Sequence, residues 1–398
     1  MRKMKPKLVL LYGLLMATYV AQGQQIALQQ ELNYCAAQAS NTIKTLSDKG
    51  LPNIPRSINK DSKEWRLVTY DDWCSGFWSG SLWYLYEGTK NPLFKQQAER
   101  FDKQLLPLSE QKVAYDHDLG FQIFCSYGNG YRLSKNPAYK KVILKTAKVL
   151  ATLYNPKVGT LLSWPREVAK FGAHNTIIDN MINLELLFWA SKNGGDKKLY
   201  SVAENHALTT MKNHFRDDYT SYHVVLYDTL TGKKIKGITH QGYADNTMWA
   251  RGQSWAIYGF TMCYKETKNP KFLDFAQKVA DVYLANLPDE SLIPYWDFNT
   301  PEIPNTTRDA SAACVTASAL LDLSKMVKDV KKASNYYQKA KKMLASLSSP
   351  TYQSGQVNDA FLLHSTGNRP INGEVDASII YADYYYLEAL LRLKNYRK

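Results

Sequence analysis

Cysteine is scarce in this sequence. Only five cysteines occur among 398 residues, widely spaced and mostly within apolar stretches, namely Cys35, Cys74, Cys125, Cys263 and Cys314. An odd number at such spacing does not indicate a disulfide framework, and no two cysteines have the close spacing of a zinc site. We therefore expect all five to be core residues.

Long hydrophobic runs are also missing after the N-terminus, so no membrane span is expected. The one notable apolar stretch runs from Leu8 to about Ala21, after a basic start, and ends with small residues at Ala21 and Gly23. This pattern is typical of a secretory signal peptide. The sequence thus predicts a signal peptide over residues 1–23 and export, to a periplasm or otherwise to the medium.

Dense clusters of one charge are absent as well, although the formal net charge is +14. The lysines are scattered in the way that is typical of solvated helix faces, so nucleic acid is not expected as a partner. No HExxH, P-loop or paired CxxC motif occurs, and the sequence therefore calls for no metal, nucleotide or redox cofactor. A basic exported protein can instead attract an acidic polysaccharide.

The tripeptide KNP recurs where two kinds of predicted helix meet. It stands in LYEGTKNPLFKQQAERF, in GYRLSKNPAYKKVILKTAKVL and in CYKETKNPKFLDFAQKVADVYL, and FWASKNGGDKKLY carries a degenerate copy. The helix before each junction is apolar on most faces, whereas the helix after it is amphipathic. Extending the pattern along the chain gives six apolar helices, which end near Thr89, Ser134, Ser191, Thr267, Val327 and Lys394.

This alternation predicts an all-α fold. A helix that is apolar on most faces must be buried, and an amphipathic helix lies outside it, so repeated pairs form a stacked or closed array. Six inner and six outer helices predict an (α/α)6 toroid, or barrel. Short strands are expected only in loops such as KEWRLV, SYHVVLYD and KKIKGITH. We expect one such catalytic domain over residues 24–398.

Aspartate stands at the opening of every predicted inner helix, as Asp71, Asp72, Asp116, Asp118, Asp179, Asp245, Asp309 and Asp376. One of these helices is predicted over Asn175–Lys192, with Asp179 in its first turn. The inner helices of a toroid run parallel, so these carboxylates gather on one face. Helix capping accounts for most of them, because Asp is a preferred N-cap. A pair of carboxylates also suits glycoside hydrolysis, but the sequence leaves open which of them face each other.

The loops that reach the same face are rich in aromatic, histidine and arginine residues. Aromatic rings stack on sugar rings and polar groups bind hydroxyls, so this combination indicates a carbohydrate site. Helix N-termini favour an anion, which suggests a sugar that carries a carboxylate or sulfate. The loop residues are Trp73, Trp78, His117, Trp164, Arg166, His223, His240, Gln241, Trp249, Arg251, Trp255, His364, Ser365, Thr366 and Arg369.

At HDLGF, IIDNMIN, HQGYADNTMWARGQSW and NGEVDASIIYADYYYLEAL the chain resembles the unsaturated glucuronyl hydrolases, glycoside hydrolase family 88, from about Trp65 onward. The resemblance implies removal of a 4,5-unsaturated uronic acid from the non-reducing end of lyase-generated oligosaccharides, by hydration of the double bond. It implies that Asp179 is the general acid and base, which protonates C4 and activates the water that adds at C5. Asp118 matches the second essential carboxylate.

The resemblance also implies a set of substrate-binding residues. His223, Gln241, Arg251 and Trp255 match binding positions, with Arg251 expected to hold the substrate carboxylate. The residues that match the aromatic walls are Trp73, Phe77 and Trp164. Ser365 and Thr366 lie in the loop that matches the region in contact with the leaving sugar, and His117 completes the expected set. The basic charge and Arg369 favour sulfated glycosaminoglycan disaccharides of chondroitin or heparin type, with ulvan second.

Two alternatives stay open on the sequence. The related unsaturated rhamnogalacturonyl hydrolases share the toroid and the chemistry, although HDLGF and the run from His240 to Trp255 favour the glucuronyl branch. A toroid that binds acidic glycans without turning them over is the second alternative. The sequence does not distinguish a monomer from a dimer.

Overall fold

Six helices form a closed inner ring. The computed structural model describes residues 26–288 and 290–396. In chain order the inner helices are Ser75–Thr89, Gly120–Gly128 continued by Asn129–Ser134, Asn180–Lys192, Ala250–Thr267, Ala310–Met326 and Ile380–Lys394. Each packs against the next, and the sixth packs against the first. The predicted (α/α)6 fold is therefore confirmed, and the helix ends agree with the KNP pattern to within one residue.

Six outer helices surround the ring, at Leu28–Leu46, Pro92–Gln104, Pro137–Ala151, Lys198–Asn213, Pro270–Ala285 and Val330–Leu347. Five of them follow an inner helix directly. The helix Leu28–Leu46 instead packs against both the first and the sixth inner helices, and it is the sixth member of the outer layer within the described residues. The KNP pattern does not point to this helix, because no such junction precedes it.

The KNP junctions have one local geometry. The lysine ends the inner helix in the left-handed region, with φ of 62° at Lys90, 57° at Lys135 and 59° at Lys268. The asparagine then caps the outer helix by accepting a hydrogen bond from the backbone N–H two residues later, as Asn91 does from Leu93 at 3.0 Å. Proline fills the first helical position, where no N–H is needed. The tripeptide therefore ends one inner helix and begins the outer helix that follows it.

Short strands occupy the loops, in three small sheets. The first sheet has the order β2 (Arg66–Val68), β1 (Ile54–Ile58), β8 (Ser378–Ile379), and β3 (Tyr154–Asn155) pairs with β4 (Thr160–Leu161). The third has the order β5 (His174–Ile177), β6 (Val224–Tyr227), β7 (Lys234–Ile238), all antiparallel. Short helical turns lie at Leu106–Glu110, Pro165–Glu167, Val168–Phe171 and Arg369–Ile371.

The predicted helix Asn175–Lys192 is wrong in its first part. His174–Ile177 forms strand β5, which pairs with β6 from His174↔Tyr227 to Ile177↔Val224, and the helix begins only at Asn180. An apolar run that contains isoleucine fits a buried strand and a buried helix equally well, and the partner strand, about fifty residues away, decides between them. The strand places Asp179 at the point where sheet and inner helix meet.

Three further predictions concern the cysteines, membrane spans and the signal peptide. All five cysteines are free and buried, as predicted for core residues. None of the helices in the described ranges is long and apolar enough to span a membrane. The predicted signal peptide, residues 1–23, lies outside the described residues.

The KNP geometry predicts stability changes of opposite sign at two adjacent exposed residues. Lys90→Gly should raise the free energy of unfolding by about 1 kcal/mol, because glycine adopts positive φ without a steric penalty. Asn91→Ala should lower it by about 1 kcal/mol, since the cap is lost. Urea denaturation measures both, and Asn91→Ser, which keeps a capping oxygen, is the matched control. Equal effects of Asn91→Ala and Asn91→Ser would contradict the capping role.

Candidate active site

A cavity of about 190 Å³ opens at the end of the ring where the inner helices begin. We call it the front cavity. Seven of the twelve predicted site residues line it, namely Trp73, Asp118, Trp164, Asp179, His223, Gln241 and Arg251. The same wall includes five residues outside that set, which are Arg166, Glu167, Phe171, Ile177 and His240. Carboxyls, imidazoles and indoles therefore meet in a space of the size of a sugar ring.

Asp179 stands at the N-cap position of the third inner helix, yet its side chain makes no capping hydrogen bond. The residue is 9% exposed, and its Oδ2 has no hydrogen-bond partner among the described residues. Burial raises the pKa of Asp179 to about 7, and the Arg251 charge and the Trp255 indole only moderate the rise. A carboxyl with this pKa can both give and take a proton near neutrality.

Asp118 is the second buried carboxyl of the front cavity. Burial raises its pKa well above the usual range, and the negative charges of Asp116 and Asp179 raise it further. Asp116 is itself bonded to the Arg166 guanidinium at 2.6 Å. The negative charge of Asp179 is thus one of the reasons that the Asp118 carboxyl holds its proton.

A neutral histidine faces Asp179. The Nδ1 atom of His223 accepts hydrogen bonds from the backbone N–H groups of His240 at 3.3 Å and Gln241 at 3.1 Å. Its proton must therefore sit on Nε2, which lies 3.6 Å from Asp179 Oδ2. Burial keeps the pKa of His223 well below its ordinary value, so the ring offers an N–H and no charge.

His117 has the same arrangement beside Asp118. Asn183 Oδ1 accepts the backbone N–H of Phe121 at 2.8 Å, which fixes the amide so that Nδ2 donates to His117 Nδ1 at 3.1 Å. The proton of His117 therefore sits on Nε2, 3.4 Å from Asp118 Oδ1. Burial lowers the pKa of His117 to about 3, so this ring is neutral too.

Both Nη groups of the Arg251 guanidinium are already bonded to the protein. One Nη donates to Asp309 Oδ2 at 2.8 Å and to the Thr366 carbonyl, and the other donates to Gln241 Oε1 at 3.0 Å and to the Gly367 carbonyl. The two-pronged grip on a substrate carboxylate that the sequence suggested would require these bonds to break. Gln241 lines the front cavity, and because its Oε1 accepts from Arg251 it can offer a ligand only its amide N–H groups.

The five other predicted site residues lie outside the front cavity. Phe77 and Trp255 are fully buried in the aromatic layer below it. His117 lies behind Asp118, and Ser365 and Thr366 are buried behind Arg251, where Thr366 binds Thr307 and the Arg308 carbonyl. In addition Arg369, expected to favour sulfated sugars, lies 3.5 Å from Glu302 and does not line the cavity.

The capping explanation for the aspartates holds only at Asp309, which accepts bonds from the N–H groups of Ser311 and Ala312. Asp245 accepts from the Thr239 N–H in a loop, and Asp376 binds His364 and Lys60. Asp71 accepts from the Thr69 hydroxyl, and Asp72 accepts from the Cys74 N–H at 2.9 Å and pairs with Arg56. Capping was therefore the wrong explanation for most of the set, because most of these aspartates lie one or more residues before the N-cap position, and Asp179, which occupies it, makes no capping bond.

Sequence reasoning missed Phe171 and Asn183. Phe171 stacks on Trp164, with ring centroids 5.9 Å apart and planes 18° from parallel, but a single apolar residue in a loop carries no functional signal. Asn183 had a signal that was overlooked, since it is polar in a helix that is apolar on every side and must have a buried partner.

A groove of about 530 Å³ adjoins the front cavity and shares Trp73, Asp118 and Arg166 with it. Its other polar walls include Arg56, Asp71, Asp72, Tyr115 and Asp116. Both arginines in it already pair with carboxylates. The front cavity thus has room for one sugar ring, and the groove has room for a group attached to it.

Asp116, His117 and Asp118 are close enough to share a metal ion, since their ligand atoms lie within 4.8 Å of one another. Two features oppose this use. The Arg166 cation already balances the charge of Asp116, and His117 turns a protonated nitrogen to the carboxyls. The group is better suited to hydrogen bonding with a substrate.

Comparison with known proteins agrees with the geometry. The sequence model of Glycosyl Hydrolase Family 88 matches residues 39–397. An unsaturated glucuronyl hydrolase of Formosa agariphila is 43% identical over 87% of this chain and 86% of its own. An unsaturated chondroitin disaccharide hydrolase of Streptococcus pneumoniae is 33% identical over 82% of this chain and 83% of its own.

A crystal structure of an unsaturated glucuronyl hydrolase described as specific for heparin superimposes with a TM-score of 0.85, at 42% identity, over 92% of this chain and 96% of that one. The family match extends over nearly the whole described chain and includes all six inner helices. The chain therefore belongs to Glycosyl Hydrolase Family 88 and is a glycosidase.

Proposed function

We propose that this glycosidase removes a 4,5-unsaturated uronic acid from the non-reducing end of oligosaccharides, with Asp179 as its general acid and base. The observation that carries the proposal is the Asp179 carboxyl, which is buried in the front cavity, lacks a hydrogen bond at Oδ2 and has a pKa raised to about 7. A group in this state can serve both halves of a hydration reaction.

The proposed reaction begins with protonated Asp179, which gives its proton to C4 of the enol ether. The ring oxygen then shares the positive charge that develops at C5. The ionised Asp179 next takes a proton from a water molecule, whose oxygen bonds to C5, and Asp179 returns to its starting state. The resulting hemiketal opens and releases the leaving sugar, so one water is consumed per bond broken.

The groups around Asp179 suit the charges that develop during the proposed reaction. The Nε2–H of His223, 3.6 Å from Asp179 Oδ2, is placed to stabilise the carboxylate after it has lost its proton, and because the ring is neutral it lowers the pKa of the starting acid less than an imidazolium would. Asp118, with the His117 N–H behind it, is placed to bind a ring hydroxyl. The uronic carboxylate lies near the Arg251 charge and contacts the amide of Gln241, while Trp164 and Trp73 form the walls.

The leaving sugar lies in the groove beside Trp73 and Asp118 in this proposal. We propose glycosaminoglycan disaccharides of heparin or chondroitin type as substrates, with ulvan fragments second. The proposal is supported by the described specificity of a 42% identical structure for heparin and by the chondroitin disaccharide hydrolases among the relatives. It draws no support from Arg369.

We also propose that the enzyme is exported and works in a periplasm. The basis is the pattern of residues 1–23, which have a basic start, an apolar stretch and small residues before the expected cleavage point. N-terminal sequencing of the protein from its native host should give a mature chain that begins near residue 24; an intact Met1 would refute export by this signal.

A spectrophotometric assay tests the reaction and the substrate together. The purified protein is mixed with unsaturated disaccharides from heparin, chondroitin, hyaluronan, ulvan and rhamnogalacturonan lyase digests. We expect loss of the ultraviolet absorbance of the conjugated double bond on the heparin or chondroitin products. Loss on the rhamnogalacturonan product alone would reverse the choice of substrate, and no loss on any substrate, with heparin disaccharide still bound, would indicate a binding protein.

Replacement of the proposed proton carrier should separate chemistry from folding. Asp179→Asn should lower kcat by at least about 1000-fold, because the amide can neither give nor take the proton, while the substrate still binds. The matched control is Asp376→Asn, whose carboxylate lies at a helix opening but binds His364 and Lys60 outside the front cavity. A control variant as inactive as Asp179→Asn would mean that another carboxylate carries the reaction.

Both the activity and the stability of the enzyme should depend on pH through Asp179. In the wild type, kcat/KM should fall as the pH rises through about 7, because the reaction begins with protonated Asp179. The raised pKa also means that the folded protein binds a proton that the unfolded chain releases, so wild-type stability falls between about pH 4 and pH 7. Asp179→Asn lacks this loss, and its Tm should therefore exceed that of the wild type more at pH 8 than at pH 4. An unchanged Tm difference would contradict the raised pKa.

A further inference from the structure

A second cavity, of about 570 Å³, opens at the opposite end of the ring, where the inner helices end. We call it the rear cavity. Each of the six inner helices contributes to its wall, in order through Tyr84, Tyr131, Trp189, Tyr258, Lys325 and Arg392. Its volume lies within the range of roughly 300–1,000 Å³ that is typical of small-molecule sites. No step of the proposed hydrolysis uses it.

An aromatic layer separates the rear cavity from the front cavity. Phe121 lies 5.2 Å from Trp255, Trp255 lies 5.4 Å from Tyr385, and Phe77 lies 6.0 Å from Tyr385, measured between ring centroids. All four rings are fully buried. The rear cavity is therefore a compartment of its own and not an extension of the catalytic site.

Four of the five cations around the rear cavity have carboxylate partners. Arg132 pairs with Glu87, and Arg392 lies 3.1 Å from Glu388 and 3.3 Å from Asp322. The ammonium groups of two exposed lysines approach the same Asp322, at 3.8 Å from Lys265 and 3.9 Å from Lys325. Lys135, at the rim, lies over the ring of Tyr131. Each cation except Lys135 thus already has a carboxylate, although three of them share Asp322.

Glu185 is the exception among the acids of this wall. Glu388 receives hydrogen bonds from Tyr84, Tyr258 and Ser318, whereas the Glu185 carboxyl has no hydrogen bond and no ion pair within the described part of the chain. It lies one helical turn before Trp189, so both side chains share the face that lines the cavity. The described part of the protein thus gives the Glu185 carboxyl no hydrogen-bond or ion-pair partner, and a ligand can supply one.

Aromatic rings stand next to this carboxyl. Trp189 contacts Phe124 and Tyr131, with centroids 6.0 Å and 5.4 Å away, and all three are partly exposed to the cavity. The six inner helices also end here, and the carbonyl end of a helix carries partial negative charge. An unpaired carboxylate, ring faces and helix C-termini all favour a positive charge in the same space.

We propose that the rear cavity binds an organic cation, with its ammonium group against Glu185 and the face of Trp189. This site is independent of the proposed hydrolase reaction, since none of its wall residues lines the front cavity or its groove. A neutral sugar would use the same rings and could donate a hydroxyl to the carboxylate, but it would not balance the carboxylate's charge, so the ligand class is an ammonium compound with an apolar body.

The proposal carries a pH dependence. Burial raises the pKa of Glu185 to about 7, Glu266 and Glu388 raise it further, and Lys265 and Arg392 oppose the rise. Of these, Lys265 and Glu266 come from the fourth inner helix, Glu388 and Arg392 from the sixth. Arg132 of the second inner helix also lines this cavity and pairs with Glu87 of the first inner helix. Only the ionised form attracts a cation, so binding at pH 8 should be about tenfold tighter than at pH 6.

Calorimetric titration with an isosteric pair tests the proposal. Choline carries the quaternary ammonium, and 3,3-dimethyl-1-butanol has the same shape without the charge. We expect choline to bind the full-length protein at pH 8, the neutral isostere and glucose to bind at least tenfold more weakly, and Glu185→Gln to lower choline affinity at least tenfold. Asp179→Asn, in the front cavity, should leave choline affinity unchanged, which also keeps this result separate from the fate of the proposed reaction.

The other outcomes would overturn the proposal. Equal binding of choline and its isostere would indicate an apolar pocket without charge recognition, and tighter binding of glucose would indicate a sugar site. Choline affinity that survives Glu185→Gln, or no choline binding at all, would refute the assigned carboxylate. Thermal unfolding of Glu185→Gln shows whether that variant is folded, and Trp189→Leu, expected to weaken choline binding but not to alter its pH dependence, is a second variant that leaves Glu185 in place.

Discussion

The close contact between the second and third inner helices is the constraint on which the site depends. A Cβ atom on Gly120 would lie 2.5 Å from the Cα of Asn183, so the approach is possible only with glycine at this position. At that distance Asn183 bonds the backbone N–H of Phe121 and the ring of His117 together. Helix packing thereby fixes the tautomer of His117, and in this tautomer the Nε2–H of His117 lies next to Asp118.

The electrostatics of the front cavity follow from how the protein distributes its donors. Arg251 is the strongest cation near Asp179, but Asp309 and three neutral acceptors hold it. A free guanidinium at the carboxyl would keep the aspartate ionised. Because Arg251 is committed elsewhere and both histidines are neutral, burial dominates, and Asp179 keeps a pKa near 7. The cavity is polar, yet it leaves its central acid uncompensated.

The sequence predicts the fold well and the site only in part. The KNP junctions and the helices that are apolar on all faces determine the ring, because both are local signals. The strand His174–Ile177 could not be predicted, since its partner lies about fifty residues away. Motifs identified Asp118, Asp179, His223, Gln241 and Arg251, but a motif does not tell which neighbours face the cavity. Trp255 and Phe77 lie beneath it, and Phe171 enters from a loop without any distinctive pattern.

The aromatic layer across the ring gives the front cavity a floor. Phe121, Trp255 and Tyr385 close the passage directly below the two carboxyls, with centroids about 5 Å apart along the layer. In the proposed function, a polysaccharide therefore cannot pass through the ring, and the sugar that reaches Asp179 is the terminal unit of a chain. The floor of the front cavity thus fits an enzyme that removes terminal units one at a time.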